Sequence, residues 1–182
     1  GLDAADRAIL SNPASTDAWT ARCCLLSLQH PRTFDGVMEA CQRLMALKPR
    51  ESEPYHEYGW ILRRLGRDGE AAVAYRQALA IDPNRPITLV HLADLSLILR
   101  RFEEARDLLD KAITGDERFV HAYVRRSLAR LHLGDVEGAR ADAIRSVGLG
   151  DSGYSGGVVV MALGDLREGD ASAASTRLER FM

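Results

Sequence analysis

The sequence predicts an all-α chain built from stacked antiparallel helix hairpins. Three observations lead there. Small and apolar residues recur with one period, the pattern inside each period is helical, and a glycine or proline sits where each helix should end. Gly59, Ala93 and Ser127 are 34 residues apart. So are Ala71, Ala105 and Ala139, then Tyr55, Leu89 and Tyr123, then Leu65, Leu99 and Leu133. A fixed period of about 20–50 residues marks an array in which one supersecondary unit is repeated.

The units follow in chain order. Residues 1–13 read as a partial repeat, residues 2–10 being the second helix of a hairpin. Residues 16–51 form the next unit. Trp19 lies 36 residues before Tyr55, and Pro13 lies 36 before Pro49, so this repeat carries a two-residue insertion, placed at His30-Pro31-Arg32. Residues 52–85 are the clearest unit. Tyr55, Tyr58, Gly59 and Leu62 fall at i, i+3, i+4 and i+7, one apolar stripe of a helix. Gly66 ends that helix and Asp68-Gly69 turns the chain. Ala71, Tyr75, Ala78 and Leu79 make the second stripe. Asp82 precedes Pro83 and so resists the α region, which stops the second helix. The small residues 12 apart, Gly59 and Ala71, let the two helices approach closely.

Residues 86–119 and 120–153 repeat the unit more loosely. In the second of these, Ala139, Ala143, Ile144 and Val147 read as the buried stripe. Residues 155–182 form a C-terminal partial repeat, in which Ala162 and Ala174 keep the 12-residue spacing, shifted by one. Val158-Val159-Val160 has the composition of a strand, but Ala162 and Leu163 continue it in helical register.

This unit resembles the tetratricopeptide repeat family. Tyr55, Tyr58, Gly59, Leu62, Ala71, Tyr75, Ala78 and Pro83 stand on the family's signature positions. The departures are Glu117 and Asp151, where the family has proline, and Arg100, where it has the helix-turn glycine. The resemblance implies a right-handed α-solenoid over residues 1–182 whose first helices line a concave groove for a peptide or a partner element. It assigns Glu53, His56, Glu57, Trp60 and Arg63 to that groove from one helix. Ile87, Val90, His91, Asp94 and Leu97 come from the next, and His121, Val124, Arg125, Leu128 and Leu131 from the third. Residues 34 apart then become neighbours, giving the rows Glu53–Ile87–His121, Glu57–His91–Arg125 and Trp60–Asp94–Leu128. Arg125 and His121 are expected to take a carboxylate and Trp60 to stack on a side chain. His91, between opposite charges, is expected to make binding sensitive to pH. Chaperone-tail adaptors of the family clamp a terminal carboxylate with lysines and asparagines. Here those positions hold His56, Trp60, His91, His121 and Arg125, so chaperone tails are not an expected partner.

Composition narrows the function. The chain has 182 residues, 46% hydrophobic and 27% charged, with a net charge of -2. That balance goes against a nucleic-acid backbone as partner, and so against the RNA-reading pentatricopeptide repeats, whose period is longer. No apolar run reaches the ~20 residues of a membrane span. Cys23, Cys24 and Cys41 show no metal spacing and read as small buried side chains in a reducing compartment. A cytoplasmic location is expected. The chain starts at Gly1 rather than Met, which leaves export followed by signal removal as the alternative.

Two stretches imitate catalytic motifs. Gly153-Tyr154-Ser155-Gly156-Gly157 has the form of a nucleophile elbow, which needs a strand before the serine and a histidine after it. A helical stripe precedes it, and the last histidine is His132. His56-Glu57 opens like a zinc-protease HExxH, but Trp60 occupies the place of the second histidine. The expectation is a non-enzymatic scaffold for a protein or peptide, with no cofactor and no metal. The alternative is a structural or self-assembling segment of a larger repeat protein, including the arm of an enzyme whose catalytic domain lies elsewhere. A homodimer through the C-terminal repeat belongs to that alternative, because its final helix has no polar capping helix after it.

Overall fold

The computed structural model describes residues 1–27, 34–150 and 156–179. His30-Pro31-Arg32, Asp151, Gly153-Tyr154-Ser155 and the last three residues lie outside them. The described residues form eleven helices and no strand. They are α1 (Leu2–Ser11), α2 (Thr16–Ser27), α3 (Phe34–Leu47), α4 (Glu53–Arg64), α5 (Asp68–Ile81), α6 (Pro86–Ile98), α7 (Phe102–Gly115), α8 (Val120–Leu133), α9 (Val136–Gly148), α10 (Gly156–Arg167) and α11 (Ala171–Glu179). The chain divides into two compact units, Gly1–Pro83 and Asn84–Met182. In the first, α1 to α5 pack each on the next. In the second, α6 to α11 do the same, and α6 also packs beside α8, and α8 beside α10. Those last contacts join first helices of successive hairpins, which is how a repeat array buries apolar faces that one hairpin leaves open.

The period is visible in the hydrogen bonds. Gly66, Arg100, Gly134 and Gly169 all have positive φ, at 74°, 58°, 89° and 85°. After each, one amide reaches back five residues: Arg67 N to Leu62 O, Arg101 N to Ser96 O, Asp135 N to Arg130 O and Asp170 N to Asp165 O, at 2.8, 2.8, 2.9 and 2.9 Å. The bond is that of a Schellman end, which satisfies carbonyls the last turn would orphan. The first three turns are 34 residues apart and the last is 35 further on, matching the one-residue shift of Ala162. Arg100 holds the left-handed conformation without glycine's freedom, at a cost of roughly 1–2 kcal/mol. Its guanidinium lies 5.8 Å over the Phe102 ring, which offsets part of that. Arg100→Gly is therefore expected to raise stability by about 0.5 kcal/mol, a rise in Tm of about 1–2 °C by calorimetry. A fall would mean that the ring contact outweighs the backbone strain.

Each hairpin closes on complementary volumes. A Cβ on Gly59 would stand 2.8 Å from Cε1 of Tyr75, whose side chain is fully buried. At the equivalent positions of the next two hairpins stand Ala93 with Leu109 and Ser127 with Ala143, all of them fully buried. As the first-helix residue grows, the second-helix residue shrinks. In the first unit Trp19, Cys23, Leu26, Val37, Cys41 and Leu44 continue the core, and Leu2 and Ile9 of α1 cover its side.

Arginines tie successive helices together. In the first unit Arg22 of α2 reaches Asp6 of α1 and Glu39 of α3, at 2.9 and 3.1 Å. In the second, Arg126 of α8 donates to both oxygens of Asp142 on α9, at 2.8 and 2.6 Å, and to Asp110 of α7, at 2.6 Å. Arg130 adds a third contact to Asp142 at 3.1 Å. This corrects the stripe predicted for α9. Its buried residues are Ala139, Asp142, Ala143 and Ser146, while Ile144 and Val147 are exposed. Two arginines neutralise Asp142, so a carboxylate takes a place that hydrophobicity alone gave to Ile144.

Candidate functional site

The residues assigned to the groove sit on α4, α6 and α8, each on the first helix of a hairpin. They divide by burial. His56 is 5% exposed, with its ring 5.7 Å from that of Tyr75, so the expected groove histidine belongs to the hairpin interior. Val90 and Val124 are buried as well. Glu53 and His121 are exposed, and Glu57, Trp60, Arg63, His91, Leu97, Arg125 and Leu128 are half-buried.

In the first unit Trp60 packs its body against the core cluster, and the Arg64 guanidinium lies 4.9 Å over its ring. One face of the ring is thereby taken by a cation. In the second unit Arg125 donates to Asp94 at 2.7 Å, between α8 and α6. Asp94 is 8% exposed and, in the expected rows, stands diagonal to Arg125. The ion pair lowers the positive field that Arg125 was expected to offer a carboxylate. His121 packs edge-on to Phe119, 5.8 Å between ring centres. Leu128 leans on the cluster of Leu131, Ala139 and Val160.

A concave feature lies within the first unit. Between α2 and α4 is a pocket of about 360 Å³. Thr20, Cys23 and Cys24 supply its α2 wall, and Leu44 of α3 and Pro54 of α4 add apolar surface. Glu51, Glu53 and Glu57 supply its charge. Glu51 is paired with Lys48 at 2.9 Å. Pro54 stands in the first turn of α4, where its missing N–H costs nothing. Glu53 and Glu57 follow at a spacing of one turn and share a face. Of the lining residues only these two were foreseen. Thr20 and Cys24 lie 36 residues before His56 and Trp60, so the offset of the inserted repeat does map α2 onto α4. The expectation that all three cysteines are buried is corrected: Cys23 and Cys41 are, 3.7 Å apart at sulfur, but Cys24 is exposed. Burial raises the Cys24 thiol pKa, and the neighbouring Cys23 sulfur and the carboxylates of Glu57 and Glu53 raise it further. The Cys41 thiol is also raised, by its hydrogen bond with Cys23 and by burial. Neither is an activated thiolate.

Catalytic geometry does not gather around the imitating motifs. His56 is packed on Tyr75, and the segments flanking Ser155 are the helices α9 and α10. Among the described residues no three His, Cys, Asp or Glu side chains are grouped to hold a metal ion. No helix among them is long and apolar enough to cross a membrane.

The family profile of the tetratricopeptide repeat matches residues 52–85. RNA polymerase II-associated protein 3 of Rattus norvegicus is 27% identical over 111 residues, covering 61% of this chain and 16% of that protein. Among solved structures, YrrB, a tetratricopeptide-repeat protein with an unusual peptide-binding site, superposes with a TM-score of 0.80 at 14% identity, covering 100% of this chain and 92% of that one. The first such domain of Spaghetti (RPAP3), bound to the HSP90 peptide SRMEEVD, gives 0.57 at 22% identity, with 71% of this chain and 94% of that one covered. These likenesses show the fold: stacked tetratricopeptide-type hairpins.

Proposed function

We propose that this tetratricopeptide-repeat chain is a non-enzymatic scaffold that holds a peptide or helical segment of another protein against the faces of its first helices. The observation that carries the reading is the pocket between α2 and α4, a concavity with an apolar floor that the core does not fill. Half-buried Trp60, Leu97 and Arg125 offer further amphipathic surface on their own units. YrrB, with its peptide-binding site, and the Spaghetti (RPAP3) domain, bound to an HSP90 peptide, support the class of partner, not its identity. A chaperone tail ending in carboxylates is disfavoured, because Arg125 is already paired with Asp94 and the pocket carries glutamates. The buried thiols suit a reducing, cytoplasmic setting.

An affinity near micromolar, about -8 kcal/mol, is expected for such a contact. Pulldown from the native source with mass spectrometry identifies the partner, and calorimetry then ranks variants. Trp60→Ala and Arg125→Ala are each expected to weaken binding by more than about 1 kcal/mol, as amphipathic anchors do. Unfolding curves of both variants separate lost contact from lost fold. Undiminished affinity in both would remove their faces from the site. A second reading, a self-assembling segment, draws on Leu163 and Leu166 of α10, 42% and 50% exposed, in the C-terminal repeat. Light scattering that shows a concentration-dependent dimer would favour it, and a strict monomer would end it.

A further inference from the structure

We propose that Cys23 and Cys41 form a modification site: a thiol pair that hydrogen peroxide, reaching Cys23 through the α2–α4 pocket, converts into a disulfide tying α2 to α3. The inference goes beyond the scaffold reading and stands or falls without it.

Three observations carry it. The first is contact. The Cys23 and Cys41 sulfurs lie 3.7 Å apart and share a hydrogen bond, although 18 residues separate them in the chain. A disulfide holds its sulfurs about 2.05 Å apart, so closure asks for roughly 1.6 Å, the size of a small helix shift. The second is the closeness of the two helices. Cys41 and its neighbour Ala40 are fully buried, and a Cβ on Gly36 of α3 would stand 2.9 Å from Cδ1 of Leu26 on α2. Small residues thus bring α2 and α3 within reach of a cystine link. The third is access. Cys23 lines the pocket of about 360 Å³, which admits a molecule as small as peroxide.

These positions divide the roles. The Cys23 thiolate attacks one peroxide oxygen and the O–O bond breaks. Cys23 becomes a sulfenic acid, and the departing hydroxide takes up a proton to leave as water. The Cys41 sulfur then attacks the Cys23 sulfur, its proton passes to the leaving hydroxyl, and a second water departs. Two thiols are oxidised and one peroxide is reduced to two waters. The hydrogen bond with Cys23 and burial hold the Cys41 thiol pKa up, which keeps it from reacting first. Cys24 is not the bridging partner of Cys23, because successive side chains of a helix point apart, and Cys24 is exposed. The bridge closes a loop across the inserted residues and takes freedom from the unfolded chain.

Peptide mapping tests it. The reduced, folded Cys24→Ser chain is treated with about millimolar hydrogen peroxide, then alkylated in denaturant and digested with trypsin. Peptides 23–32 and 33–43 hold one cysteine each in this variant. They are expected joined, lighter by two hydrogens, and separated again by dithiothreitol. The Cys23→Ser chain, which keeps Cys24 and Cys41, is expected to yield at least about 10-fold less of the joined product. Calorimetry of the Cys24→Ser chain supplies the second arm: oxidation is expected to raise Tm by about 5 °C, reversed by dithiothreitol. Should Cys23→Ser fail to fold, the Cys24→Ser chain alone decides, because Cys23 and Cys41 are its only cysteines. Two thiols left unjoined in it, equal bridging in a folded Cys23→Ser chain, or a Tm that falls on oxidation would each overturn the proposal.

Discussion

Asp142→Ala lowers the unfolding free energy by about 3 kcal/mol, read from urea denaturation, the largest loss expected from one side chain in the second unit. Asp142 is 4% exposed and receives Arg126 through two hydrogen bonds and Arg130 through a third contact. Removing it leaves Arg126 shielded from water with Asp110 as its remaining partner here. The cost is that stranded charge more than the lost bonds. Arg126→Met added to Asp142→Ala is therefore expected to recover part of the loss, since the double change removes both sides of the pair. A single-variant loss below about 1 kcal/mol would show that the site hydrates freely. Burial weighs against the charge of Arg126, but its bonds to Asp142 and Asp110 outweigh it and hold its pKa above the usual value. A raised pKa gives stability that is present below the usual guanidinium range and lost only as pH rises through the raised value. Titration of Arg126 itself thus leaves stability flat between about pH 6 and 9.

Gly59→Leu is expected to cost about 3 kcal/mol in the first unit. A Cβ alone would approach Cε1 and Cδ1 of Tyr75 to 2.8 and 2.9 Å, and that ring, fully buried, cannot swing into solvent. Gly59→Ala should cost far less, because alanine gains roughly 1 kcal/mol of helix propensity against the crowding. The pairing of Ala93 with Leu109 suggests the repair. Gly59→Ala with Tyr75→Leu copies the next hairpin and is expected to be milder than Tyr75→Leu alone, which opens a cavity. A Gly59→Leu chain as stable as the parent would refute the close approach on which the hairpins depend.

The helices and their ends were legible because they come from local chemistry repeated at one period. Gly66, Gly134 and Gly169 mark the turns, and even Arg100 keeps its place in the series by position alone. Pairs formed across helices were not legible. Nothing local to α9 announces that Asp142 is neutralised from α8, so Ile144 took its place in the expected stripe. His56 looked like a groove residue because its register is right, yet Tyr75 draws it inward. Glu53 and Glu57 were assigned to the groove face of α4 by register, but the pocket they border also needs the insertion-shifted α2, which supplies Thr20 and Cys24. Whether the two are a binding surface is a question for partner chemistry, which no period encodes.

First-helix faces, not second-helix ones, are expected to meet the partner. Calorimetry with the partner captured from the native source tests it most directly. One panel holds Glu57→Gln, Trp60→Ala and Arg125→Ala. The other holds Gln77→Ala and Ile144→Ala, exposed positions on the second helices α5 and α9. A loss of about 5-fold or more is expected across the first panel and none across the second. Affinity lost in the second panel and kept in the first would contradict it.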